Sequence, residues 1–169
     1  MMKKEKCFEN YPLWMVAVTV LFSLATYFFG AYIIYQLGLI WLAAYILYIL
    51  WLEFRLMTHC VDCHYYGKYC AFGRGKLACL FFKKRKKQFG DMKVTWLSLL
   101  PDLLVSIAPI IAGIWLLIVR FDWTIVGAIV VLFLLMTIGN AFVRGSIACK
   151  YCKQRQLGCP AEQLFAKKK

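Results

Sequence analysis

The sequence predicts an all-α integral membrane protein of four transmembrane helices, built as two tandem helical hairpins with a small cytosolic cysteine-rich cap. Three observations carry that reading. The chain has 169 residues, 63% hydrophobic and 17% aromatic, yet its net charge is +13. A soluble domain of that size cannot bury so much apolar surface, and a disordered chain does not carry it. Long apolar runs alternate with short basic segments, as in a polytopic membrane protein. The sequence also matches itself at an offset of 89 residues, so residues 1–89 and 90–169 read as two copies of one unit.

From the N-terminus, Lys3, Lys4 and Lys6 precede a first apolar run, Leu13 to Tyr35. This run lacks a small-residue cleavage site and leads straight into a second span, so it reads as a retained helix and not as a secretory signal. The second run is Leu37 to Leu56, the third Trp96 to Val119 and the fourth Trp123 to Phe142. About 20 residues, each rising roughly 1.5 Å, cross a hydrocarbon core of roughly 30 Å. A helix also satisfies its own backbone hydrogen bonds in lipid. The connections at Gln36 and at Arg120-Phe121-Asp122 are very short, so each pair forms a tight hairpin. Basic residues cluster before the first span, from Arg55 through Lys93, and from Arg144 through Lys169, with only Arg120 on the other side. The positive-inside rule then places both termini and the central loop in the cytoplasm of a cell-membrane protein.

At the offset of 89, Pro12 falls on Pro101, Gly38 on Gly127 and Arg55 on Arg144, without a gap. Cys60, Cys63 and Cys70 fall on Cys149, Cys152 and Cys159. Leu80-Phe81-Phe82-Lys83-Lys84 matches Leu164-Phe165-Ala166-Lys167-Lys168 when about five residues are removed from the second copy. Two spans per copy is an even number, so both copies insert the same way up. The implied symmetry is a pseudo-twofold axis along the membrane normal, with both Cys-x2-Cys-x6-Cys triplets on one face.

That face is reducing, which disfavours structural disulfides. A Cys-x-x-Cys pair there points to a metal or redox site, because thiolates are soft donors for Zn²⁺ or iron–sulfur clusters. The doubled spacing resembles the binuclear zinc cluster of fungal transcription factors, in which six cysteines hold two zinc ions about a pseudo-twofold axis. The resemblance covers Cys60, Cys63, Cys70, Cys149, Cys152 and Cys159, and it implies two triads sharing metal. A helical hairpin separates the triads here, where that family has a short linker, so DNA binding does not carry over. The competing arrangement is two separate four-ligand sites, the first triad adding Cys79, His59 or His64 and the second recruiting Cys7. Zinc is the expected metal; an iron–sulfur cluster is the alternative, echoed in Cys159-Pro160 but without the Cys-x2-Cys-x2-Cys core. Reduced or palmitoylated membrane-proximal cysteines are the bland reading, and they need no repeated three-cysteine spacing.

Other features weigh less. Leu80-Phe81-Phe82 followed by Lys83-Lys84-Arg85-Lys86-Lys87 reads as an interfacial segment whose lysines meet anionic headgroups, as well as a topology signal. Nucleic acid is not an expected partner, because no nucleic-acid-binding fold stands behind that patch. Ala71-Phe72-Gly73-Arg74-Gly75-Lys76 lacks phosphate-loop spacing and reads as a glycine-rich turn beside the cysteines. Asp102 is the one acid expected at depth, a candidate functional group or a partner of Arg144 or Arg55. Asn140 is expected to bond between helices and Pro109 to kink the third span. With both histidines outside the spans, a membrane-buried bis-histidine haem is excluded.

No catalytic set emerges from these residues. The expected function is a structural or interaction module, able to serve beside other membrane subunits. Electron transfer through iron–sulfur clusters and metal-ion or thiol-linked transport are the rivals.

Overall fold

The structure, a computed structural model, describes residues 7–85, 89 and 95–160. Lys3, Lys4, Lys6, Lys86, Lys87, Lys93 and the segment Leu164 to Lys169 lie outside them. Four helices are long and apolar enough to cross a membrane: α1 (Leu13–Tyr35), α2 (Leu39–Cys60), α4 (Trp96–Val119) and α5 (Trp123–Ala148). A short α3 (Arg74–Phe81) and α6 (Lys153–Gln156) follow the first and second cysteine pairs. Among the described residues there is no strand beyond one isolated bridge, Phe8 to Cys152.

The boundaries of α1 and α4 coincide with the apolar runs. The second helix starts two residues later than its run, because Gly38 sits in the turn at φ 129°, a left-handed conformation that only glycine adopts freely. The helix then continues past Glu53 and Arg55 to Cys60, which puts His59 in a helical turn and not in a loop. The fourth helix runs six residues past Phe142.

The gap-free register breaks at the hairpin turns. These lie at 36–38 and 120–122, 84 positions apart, whereas the cysteines repeat at 89. Gly38 is therefore a turn residue, while Gly127 lies inside α5. The surplus residues are taken up in α5, which spends Leu135–Gly139 and Val143–Ala148 in π-helical turns. A π turn holds more residues than an α turn. Thus 26 residues stand where α2 uses 22.

The chain divides into two compact units. The helical unit is Leu21–Phe54 with Leu99–Ala141; the cysteine unit is Met1–Val20, Arg55–Ser98 and Phe142–Lys169. In the helical unit Ile33, Ala128 and Leu132 form a buried core, and glycines permit close approach. The Gly113 Cα faces Ile129 and Ile33, and Gly139 faces the Phe22 ring, the small-residue packing used between membrane helices.

Pro109 lies inside α4 and has no N–H for the carbonyl of Val105. The Tyr45 hydroxyl donates to that carbonyl at 2.8 Å. Tyr48 donates to the Pro101 carbonyl at 2.9 Å. Both aromatic hydroxyls thus find acceptors where the bilayer offers none.

At the turns, Arg120 donates to Gln36 and Asp122 caps α5 by accepting from the Thr124 N–H at 2.8 Å, which holds the Asp122 carboxyl below its usual range. Outward-facing side chains are apolar for most of the length of the four helices. Trp14, Trp41, Trp96 and Trp123 stand exposed within the first residues of their helices, as tryptophan does where a span meets the membrane–water boundary.

Candidate metal centre

The cysteine unit is assembled by a short segment that the sequence gives little reason to single out. Cys7 to Tyr11 runs between the two cysteine segments and bonds to both. The Phe8 N–H donates to the Tyr151 carbonyl at 3.1 Å, and the Tyr11 N–H to the Tyr69 carbonyl at 3.0 Å. The Tyr11 hydroxyl donates to the carbonyl of Ala148 at 2.5 Å. Ala148 ends α5, where carbonyls lack intrahelical partners. Glu9 completes the staple: its carboxylate meets His64 at 3.2 Å, Lys68 at 3.1 Å and the Lys153 ammonium.

Around this segment the two cysteine segments present the same local structure. The Cys63 N–H donates to the Cys60 carbonyl and the Cys152 N–H to that of Cys149, at 3.2 and 3.4 Å. One turn on, Tyr66 donates to the Cys63 carbonyl and Arg155 to that of Cys152, at 3.1 and 3.2 Å. The segments also bond to each other reciprocally. The His64 N–H donates to the side-chain oxygen of Gln154 at 2.8 Å, and the Lys153 N–H donates to the Tyr65 hydroxyl at 2.9 Å. Residues 64 and 153 differ by 89, as do 65 and 154, so each bond is the counterpart of the other. Glu9 touches both members of the pair His64 and Lys153.

Tyr65 is the hub. It is 2% exposed, accepts from Lys153 and donates to the Phe8 carbonyl at 2.7 Å. Burial, helped by the neighbouring thiols and opposed by the Lys153 N–H, pushes its hydroxyl up to about 12. Replacing Tyr65 by Phe removes the bond partners of the half-buried Phe8 carbonyl and Lys153 N–H, a cost of about 1–3 kcal/mol. Glu9→Gln removes ion pairs from a side chain that is 54% exposed, where such pairs are worth under about 1 kcal/mol. Thermal unfolding in detergent should therefore drop several-fold further for Y65F than for E9Q, and raised salt should abolish only the E9Q effect.

The cysteines lie around this hub. Cys63, Cys70 and Cys152 pack on one hydrophobic cluster with Tyr11, Met15, Tyr65 and Ala148. Cys159 neighbours Cys63 and Cys152 closely enough that a charge on it would raise either thiol. Cys149 stands in the same relation to Cys152, and Cys7 to Tyr65. Cys60 is in the last turn of α2, its thiol on the Leu56 carbonyl at 3.6 Å. Cys79 is apart, exposed on α3 with its thiol on the Lys76 carbonyl at 3.0 Å. The His64 ring faces Glu9. All eight cysteines are free thiols.

Three of the clustered sulfurs accept backbone N–H groups: Cys70 from Gly75 at 3.4 Å, Cys63 from Tyr65, and Cys152 from Gln154 and Arg155. Such donors favour thiolate, and around metal-bound sulfur they form the supporting outer shell. Burial dominates, however, and pushes the Cys63 thiol up to about 11. Among the described residues no three Cys, His, Asp or Glu side chains converge closely enough to hold one ion. The sulfurs are neighbours with preset backbone donors, short of a closed coordination shell.

The glycine-rich stretch behaves as a turn beside the cysteines. Gly73 precedes α3 at φ 70°, and Gly75 packs against the backbone of Tyr65 and Lys68. Thr19, fully buried, shares its hydroxyl between the carbonyls of Val16 and Ala71. Sequence reasoning missed Tyr11, Tyr65, Glu9 and Gln154. The one available signal was the density of aromatic residues beside the cysteines, Phe8, Tyr11, Tyr65 and Tyr151. Compared with protein-family profiles, curated proteins and solved structures, the chain finds no match in any of the three.

Proposed function

We propose that the chain is a non-catalytic membrane scaffold whose two cysteine segments, copies of one unit about a pseudo-twofold axis, share a zinc-holding cytosolic cap. The cap joins the ends of the two hairpins and serves as an interaction module for other membrane subunits. The observation that carries this reading is the reciprocal pair of bonds, His64 to Gln154 and Lys153 to Tyr65, with Cys63 and Cys152 beside it on one cluster. A self-complementary contact of this kind belongs to a twofold arrangement.

The residues suit zinc in donor type and in their N–H supports, and Cys63, Cys70, Cys152 and Cys159 are the ligands to expect. Zinc supplies thiolate charge neutralisation and, in structural sites, on the order of 10 kcal/mol of folding free energy. The protein's own part is to bring the sulfurs of both segments onto one cluster and to aim N–H groups at them. The exposed position of Cys79 on α3 speaks for sharing between the triads, and against a separate site built from the first triad and Cys79.

Elemental analysis and an absorbance spectrum of protein purified without chelators test the reading. A colourless preparation with stoichiometric zinc is expected, and stripping the metal should lower the unfolding temperature sharply. Metal-free protein, or a brown iron-bearing one, would overturn it.

A further inference from the structure

Helix α3 is eight residues long. Gly75 and Ala78 are buried against the cysteine unit. Leu77, Leu80 and Phe81, at i, i+3 and i+4, stand 49%, 73% and 61% exposed. That spacing puts the three on one stripe, opposite the buried face.

The chain that follows is held in place and basic. The Phe82 carbonyl accepts from the Tyr66 hydroxyl at 2.6 Å. The Arg85 guanidinium donates to the Thr58 carbonyl at 3.1 Å, with the buried Asp62 carboxylate 3.9 Å away. Thr58 is in the last turns of α2, so the basic run is tied to the end of a spanning helix, the level of the lipid headgroups. Lys83 and Lys84 are exposed there.

We propose that α3 is an in-plane interfacial helix that lays Leu77, Leu80 and Phe81 into the leaflet around it, with Lys83 and Lys84 on anionic headgroups. Charge selects the occupant. A stripe of large apolar side chains flanked by cations fits an anionic bilayer surface, and the tether to α2 keeps the stripe at that surface. The helix thereby couples lipid composition to the cysteine unit through Gly75, whose N–H lies on Cys70.

The test places a photoreactive benzophenone side chain at Leu80 in full-length protein, reconstituted in nanodiscs of phosphatidylcholine with or without phosphatidylserine. Irradiation should give lipid adducts at position 80, several-fold more with phosphatidylserine. In the K83Q/K84Q background the yield should fall to the phosphatidylcholine level. A benzophenone at exposed Cys79, off the stripe, serves as the control and should give little adduct in either disc. Absence of lipid adduct at position 80, or a yield indifferent to headgroup charge, would overturn the proposal. An intact unfolding transition for each variant shows that the fold was present.

Discussion

Gly75→Ala should collapse the cysteine unit. A Cβ at position 75 would stand 2.3 Å from the Tyr65 carbonyl oxygen and 2.7 Å from that of Lys68. Both obstacles are backbone, so no side chain can swing aside. The same residue receives the Gly67 N–H on its carbonyl at 3.0 Å and gives its own N–H to Cys70. Relief of the clash must move α3 away from the 65–68 turn and break both bonds. Tyr65, which joins the two cysteine segments, moves with them. Overpacking against backbone together with lost buried bonds amounts to about 3 kcal/mol or more. Gly145→Ala is the matched control, because nothing lies within 4 Å of a Cβ there. Unfolding temperature and bound zinc should both fall in G75A and stay level in G145A. Retention of both by G75A would show that the 65–75 packing does not hold the unit together.

Tyr45→Phe should destabilise the helical unit, and a second substitution should reveal why. The Val105 carbonyl, freed by Pro109, accepts from the Tyr45 hydroxyl at 2.8 Å in place of the missing N–H. Removing the hydroxyl orphans it at a cost of about 1–2 kcal/mol. Pro109→Ala restores the N–H and should recover much of that loss in the Y45F background. Gly30→Ala attacks the same bond from the other side, since its Cβ would lie 2.2 Å from the Tyr45 oxygen. The double variant G30A/Y45F should therefore cost less than the sum of its parts, as residues sharing one interaction do. Strict additivity of Y45F with both P109A and G30A would refute the assignment of the hydroxyl to the proline's carbonyl.

The spans were legible in the sequence because lipid imposes one demand over about 20 residues, and hydropathy reports it directly. The register between the hairpins was not. An apolar run gives no sign that Leu135–Gly139 and Val143–Ala148 wind as π turns, so a constant offset carried Gly38 onto a residue inside α5. Cys63, Cys70 and Cys152 pack on one hydrophobic cluster. What joins them was out of reach: Glu9, Tyr11 and Gln154 act through pairings 55 to 144 positions apart in the chain, and no local pattern encodes such contacts. Asp102, expected at depth, lies in the second turn of α4, while Arg55 turns its guanidinium to the Ser98 carbonyl at 3.0 Å.

The central claim, one metal centre shared by both segments, is tested most directly by zinc content in single-cysteine variants. C63S and C152S, each purified without chelators, should each lose the zinc of the whole cap, while C79S keeps the full complement. Loss of one half by C63S and the other half by C152S, or a dependence on Cys79, would contradict sharing and establish two separate sites. A wild-type protein without zinc would remove the metal reading itself.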